Sequence, residues 1–163
     1  MVYNLLIIED SIPIRMAIKD IVKSSEFNVT QFFEASYVNE GLKILHEEIV
    51  DLVLFDFNTP DIDVFRFLDV MKKDETYKFI PIVIIITERS NIDAEDLLEK
   101  HSIDYIKQPI NPIEIKQKLN HIMKREYGKP GWDKLIRVDY HGAKEVPTGT
   151  CHSILKAAGI KKL

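Results

Sequence analysis

Five short apolar runs punctuate residues 1–123: Leu5–Ile8, Val29–Phe33, Leu52–Phe55, Ile82–Ile86 and Ile103–Ile106. Leu5–Ile8, Leu52–Phe55 and Ile82–Ile86 are continuous rather than alternating, the pattern of a strand covered on both faces, as in a parallel sheet. Between the runs, apolar residues return at helical spacing. Ile14, Ile18, Ile21 and Val22 form one such face, Val38, Leu42 and Leu45 a second, and Val64, Leu68 and Met71 a third. The last face, Ile115, Leu119, Ile122 and Met123, is opened by Asn111 as cap, Pro112 in the first turn and Glu114 three residues after the cap. Strict alternation of strands and helices predicts an α/β domain, a doubly wound five-stranded parallel sheet, over residues 1–125.

The pattern changes after residue 125. The stretch GKPGW lies in a linker over 126–134, and residues 135–163 read as a β-hairpin followed by a helix. Leu135–Tyr140 alternates, His141-Gly142 suits a turn, and a helix capped by Thr148 or Thr150 carries Cys151, Ile154, Leu155 and Ala158 on one face. So small an extension buries too little to stand alone, so docking on the first domain, dimerisation, or both are expected.

Charge sharpens this division. The net charge of −4 is the sum of −9 over residues 1–123 and +5 over residues 124–163. A basic tail beside an acidic domain suggests an acidic partner, nucleic acid or the chain's own domain as its neighbour. No run of about 18 apolar residues is present, which excludes a membrane-spanning helix. The lone Cys151 has no partner for an internal disulfide, and the N-terminal stretch lacks a signal-peptide pattern, so a cytoplasmic protein is expected.

In a doubly wound sheet, ligands bind beyond the carboxyl ends of the strands. Glu9 and Asp10 end the first predicted strand, Asp56 the third, Thr87 the fourth and Tyr105 to Gln108 the fifth. Converging carboxylates repel unless a divalent cation shares them, and oxygen-only donors suit Mg²⁺. A carboxylate beside such a cation is a ready phosphoryl acceptor. Each residue taken singly also has a plainer reading: Asp10 or Ser11 as a helix cap before Pro13, Asp56 as the start of a turn, and Thr87 as an ordinary strand-end hydroxyl.

Together these motifs resemble the receiver domains of two-component response regulators, over residue 3 to about 125. Leu5–Ser11 resembles the first strand with its metal-binding acid pair, and Leu52–Asp61 the third strand with the phosphoacceptor. Ile84–Thr87 resembles the switch-threonine strand, and Asp104–Ile106 the switch-aromatic strand. The resemblance implies the strand order 2-1-3-4-5. It implies that Asp56 accepts a phosphoryl group from a histidine kinase or phosphotransfer protein, with Mg²⁺ held by Glu9, Asp10, Asp56 and the backbone carbonyl of Asn58. It further implies that Thr87 binds the phosphoryl oxygen and that Tyr105 swings inward, changing a surface read by a downstream protein target. Such a protein is a signalling phosphoacceptor rather than an enzyme, limited to self-phosphorylation from small donors and autodephosphorylation.

Three departures stand out. Val64 replaces the usual glycine after Asp63, Glu88 replaces a small residue after the switch threonine, and Gln108 replaces the lysine before proline. Tyr105 and Pro109 set the register, so Lys107 lies one place early and should point to the opposite face. Glutamine donates a hydrogen bond but adds no charge. The family's Lys-Pro bond is typically cis, so Gln108-Pro109 is expected to be cis. Two rival readings follow. One is a pseudo-receiver serving as a constitutive protein-interaction module. The other is an aspartate-nucleophile phosphatase of the haloacid-dehalogenase type, disfavoured because Asn58 removes the general acid/base.

Within the tail, Val138–Thr150 and Ser153–Ile160 resemble the C-terminal half of HicA-type mRNA-interferase toxins. That family's catalytic Gly-Ser-His stretch is missing. The expectation is therefore no RNase activity, with a docking appendage, a homodimer contact or residual RNA binding as the alternatives.

Overall fold

A computed structural model of the chain describes residues 2–57, 64–87 and 93–127. The chain divides into two units, Met1–Glu126 and Tyr127–Leu163, and every strand given below lies in the first. The hairpin, the helix and the HicA-like stretch expected over 135–163 lie outside the described residues, as does the linker from residue 128 onward.

Five strands and five helices alternate: β1 (Tyr3–Ile8), α1 (Ile12–Ser24), β2 (Val29–Ala35), α2 (Val38–Glu47), β3 (Leu52–Asp56), α3 (Val64–Lys73), β4 (Ile82–Ile86), α4 (Asp93–Lys100), β5 (Asp104–Lys107) and α5 (Pro112–Tyr127). The sheet is wholly parallel, in the order β2-β1-β3-β4-β5. The continuous apolar runs account for this arrangement. Leu5 to Ile8 and Leu52 to Phe55 are fully buried because helices cover both faces of the central strands. Fully burying one such side chain contributes about 1.5–3 kcal/mol. β3 runs one residue further than its apolar run, so that Asp56 is still paired in the sheet, opposite Ile85.

The helices follow their predicted faces with one correction. Ile115, Leu119, Ile122 and Met123 of α5 are all buried, and Asn111 caps that helix by accepting from the amides of Ile113 (2.8 Å) and Glu114 (3.4 Å). In α1, Ile18 and Val22 are buried as expected, but Ile14 is 43 % exposed and Arg15 takes the inward place at 8 % exposure. The stripe is therefore Arg15, Ile18 and Val22, spaced i, i+3, i+7. A cation can occupy it because its guanidinium finds acceptors at the ends of β1 and β2.

Gly41 lets α2 approach β1 closely. A Cβ built there would lie 2.7 Å from Ile8 Cδ1 and 3.2 Å from Ile8 Cγ1, and Ile8 is fully buried. Alanine would recover about 1 kcal/mol of helix propensity against that crowding. Valine has no such compensation, so Gly41→Val is expected to cost about 2 kcal/mol of stability in a urea titration. An unchanged midpoint would show that α2 can move away freely.

Candidate functional site

The carboxyl ends of β1, β3, β4 and β5 open on one side of the sheet, the position its topology gives a ligand crevice. Glu9 and Asp56 are buried there, at 2 % and 3 % exposure, while Asp10 is exposed. Ser11, not Asp10, caps α1, its side chain accepting from the amide of Ile14 at 3.5 Å. Asp10 is thus left to face its acidic neighbours.

Glu9 shows that these acids converge. Its carboxyl is pushed up to about 8, chiefly by burial, and further by the hydrogen bond that protonated Glu9 donates to Asp10 and by the charges of Asp56 and Asp10. Only the Ser11 amide, donating to Glu9 Oε1 at 2.8 Å, acts in the opposite sense. Like charges brought together out of water hold a proton among them, and a cation would relieve the same repulsion. Among the described residues, no three His, Cys, Asp or Glu side chains already close on a metal position. Mg²⁺ does not require such a cage, since it keeps several waters and takes one or two carboxylates. Glu9, Asp10 and Asp56 therefore suit it as donors. Asn58, assigned by resemblance to a backbone contact, lies outside the described residues, as does Glu88.

β5 sends Lys107 and Gln108 to different neighbours. Gln108 Nε2 lies 3.4 Å from Asp56 Oδ2, at the long edge of hydrogen bonding. Its backbone amide donates to the Ile86 carbonyl at 2.8 Å, tying it to the end of β4 beside Thr87. Lys107 turns away and pairs with Glu95 of α4 at 2.6 Å. This is the alternation expected of adjacent strand residues, with glutamine rather than lysine reaching the aspartate. The Gln108-Pro109 bond is cis, as the resemblance implied.

Thr87 follows directly after β4 and is half-buried. Tyr105 lies on the α4 side of β5. Its hydroxyl donates to Glu99 Oε1 at 2.8 Å, with Glu95 Oε2 at 3.4 Å, and Lys118 Nζ sits 5.4 Å from the ring centroid. The Glu99 hydrogen bond, burial and the charges of Glu99 and Glu95 push the phenol up to about 12. In this structure the ring engages α4 and α5 rather than Asp56. Its two glutamate partners had no signal in the sequence, because an acid on an amphipathic helix reads as solvated surface.

Val64, where glycine was expected, opens α3 and is buried in the core. The residues before it, 58–63, lie outside the described residues. Among the described residues, no helix is long and apolar enough to cross a membrane.

Comparison with known proteins agrees with this fold. The family model of the response regulator receiver domain matches residues 5–120. The phosphate regulon transcriptional regulatory protein PhoB of Klebsiella pneumoniae is 27 % identical over 125 residues, which are 77 % of this chain and 53 % of PhoB. The two-component response regulator ORR3 of Oryza sativa subsp. indica is 25 % identical over 120 residues, 74 % of this chain and 90 % of ORR3. The chain thus spans about half the length of the first of these relatives. A response regulator receiver domain protein from Clostridium thermocellum has the same fold, with a TM-score of 0.64 at 22 % identity, covering 76 % of this chain and 96 % of that one. The match ends within α5, and the HicA resemblance of the tail finds no support in these comparisons.

Proposed function

Because the chain belongs to the response regulator receiver domain family of two-component systems, we propose that Asp56 accepts a phosphoryl group from a histidine kinase or phosphotransfer partner. Receivers are signalling modules rather than classical enzymes; they work with histidine kinases and downstream effectors and generally use Mg²⁺. What supports the specific assignment is the burial of Asp56 at the end of β3, close enough for its charge to act on Glu9, which also meets Asp10, and within reach of the Gln108 amide.

In this reading a carboxylate oxygen of Asp56 forms the new O–P bond as the donor's bond to phosphorus breaks, leaving an acyl phosphate. Glu9, Asp10 and the Asn58 carbonyl would hold Mg²⁺, which when bound offsets negative charge on the incoming phosphoryl group. Gln108 donates a neutral hydrogen bond to a phosphoryl oxygen, and the Thr87 hydroxyl donates a second. A Tyr105 ring drawn inward would have to release Glu99 and Glu95, leaving those two acids and Lys107 to rearrange along α4 and β5. This small charge event biases a two-state surface read by a downstream protein.

A second reading is carried by Gln108 itself. Without the ammonium, phosphoryl stabilisation is weaker, and the same fold serves as a constitutive protein-interaction module. Titration of the full chain with beryllofluoride and Mg²⁺, followed by amide NMR, separates the two. Phosphorylation competence predicts saturable shifts around Asp56, Thr87 and Tyr105. Unchanged spectra at high beryllofluoride favour the constitutive module.

A further inference from the structure

The acid pair of this site is held by a residue that the receiver reading leaves without a role. Arg15, buried on the inner face of α1, donates from Nη1 to the backbone carbonyl of Glu9 and to Ser36 Oγ (3.2 Å), and from Nε to Glu34 Oε2 (3.0 Å). One guanidinium thereby joins the end of β1, the first turns of α1, the end of β2 and the turn into α2.

Burying a guanidinium costs several kcal/mol unless it is paired and its donors are satisfied. Glu34 supplies the pairing, and Lys19 shares that carboxylate; Lys19 first, and then Arg15, hold Glu34 below the usual carboxylate range against the effect of burial. Arg15's charge is thus met by Glu34. What its fork adds at Glu9 is a directed hydrogen bond to the peptide from which the site's first acid projects. Planar, multiply donating geometry of this kind belongs to arginine and not to lysine.

The Glu9 backbone is fixed from both sides. Its amide donates to the Ala35 carbonyl at 3.0 Å, and its carbonyl accepts from Arg15. Its side-chain Oε1 then accepts from the Ser11 amide at 2.8 Å, which closes the turn around Asp10. Without the Arg15 contact, the carbonyl of the peptide between Glu9 and Asp10 loses the hydrogen bond that orients it, and that peptide gains rotational freedom. Both carboxylates would rotate with it.

We propose that Arg15 is a positioning residue for the divalent-cation site, clamping the Glu9 carbonyl so that the Glu9 and Asp10 carboxylates are presented together toward Asp56. The proposal rests on the receiver reading above. It differs from a plain packing role, in which Arg15 only staples α1 to β2: a staple affects stability, whereas a clamp also affects metal affinity in protein that is fully folded.

The test is a Mg²⁺ titration of the full chain, followed by amide NMR, for wild type, Arg15→Met and Arg15→Lys, with a thermal melt of each. The clamp predicts that Arg15→Met binds Mg²⁺ about tenfold or more weakly, in the range seen when groups supporting metal ligands are removed. It predicts that Arg15→Lys, which keeps a cation beside Glu34, recovers much of the melting temperature but not the affinity. Should Arg15→Met fail to fold, Arg15→Lys carries the test alone. Wild-type affinity in a folded Arg15 variant overturns the clamp and leaves the receiver reading intact. Absence of Mg²⁺ binding by the wild type overturns the receiver reading and the clamp with it.

Discussion

Gln108→Lys is expected to tighten beryllofluoride binding about tenfold in the presence of Mg²⁺, because a charge-assisted hydrogen bond is roughly twice as strong as a neutral one. The position already reaches the acceptor: Gln108 Nε2 stands 3.4 Å from Asp56 Oδ2, and its backbone is anchored to Ile86. A lysine there needs no change of register, and Lys107 keeps its pairing with Glu95 on the other side of β5. Gln108→Ala removes only a long neutral contact and should weaken binding by no more than about threefold. Paired titrations of the three proteins provide the check. Equal affinities for glutamine and lysine would mean that the side chain at 108 does not meet the phosphoryl group.

Asp56→Asn is expected to lose phosphoryl acceptance completely, since the amide has no carboxylate oxygen to attack phosphorus. The same change should stabilise the metal-free protein at alkaline pH. Glu9 keeps its proton in the folded state up to about 8 against an ordinary value of 4.5, so the unfolded chain releases that proton first. The stabilisation linked to this proton is fully present below pH 4.5 and is lost as pH rises through about 8. Asp56 is one cause of the raised value, and asparagine removes its charge at nearly constant volume. Above pH 8, Asp56→Asn should therefore melt about 2–4 °C higher than wild type in EDTA. Saturating Mg²⁺ should narrow the gap, because the wild type then gains the cation that the variant binds poorly. Identical melts across the pH range would show that Glu9 and Asp56 do not sense one another.

Much of this was legible before any coordinates. Continuous apolar runs can form strands only if both faces are covered, which forces the parallel sheet and places Glu9, Asp56, Thr87 and Gln108 at the strand ends. Alternation along β5 separated Lys107 from Gln108 in the same way, by a local rule. What sequence could not show depended on partners distant along the chain. Arg15 looks like a surface cation until Glu34 and Ser36 of β2 and its following turn come beside it, and that is why Ile14 was assigned its inward place. Gly41 gives no hydrophobic signal, yet its missing side chain sets the approach of α2 to Ile8. The hold of Glu95 and Glu99 on Tyr105 depends on how α4 packs against β5, which periodicity does not specify.

Asp56 is proposed as a working phosphoryl acceptor despite the glutamine at 108. The most direct test is incubation of the wild-type chain with acetyl phosphate and Mg²⁺, followed by intact-mass measurement and trapping of the labelled residue. The expected result is a mass increase of one phosphoryl group, localised to Asp56 and lost both in Asp56→Asn and when EDTA replaces Mg²⁺. A chain that stays unlabelled at high donor concentration, or is labelled elsewhere, would contradict it.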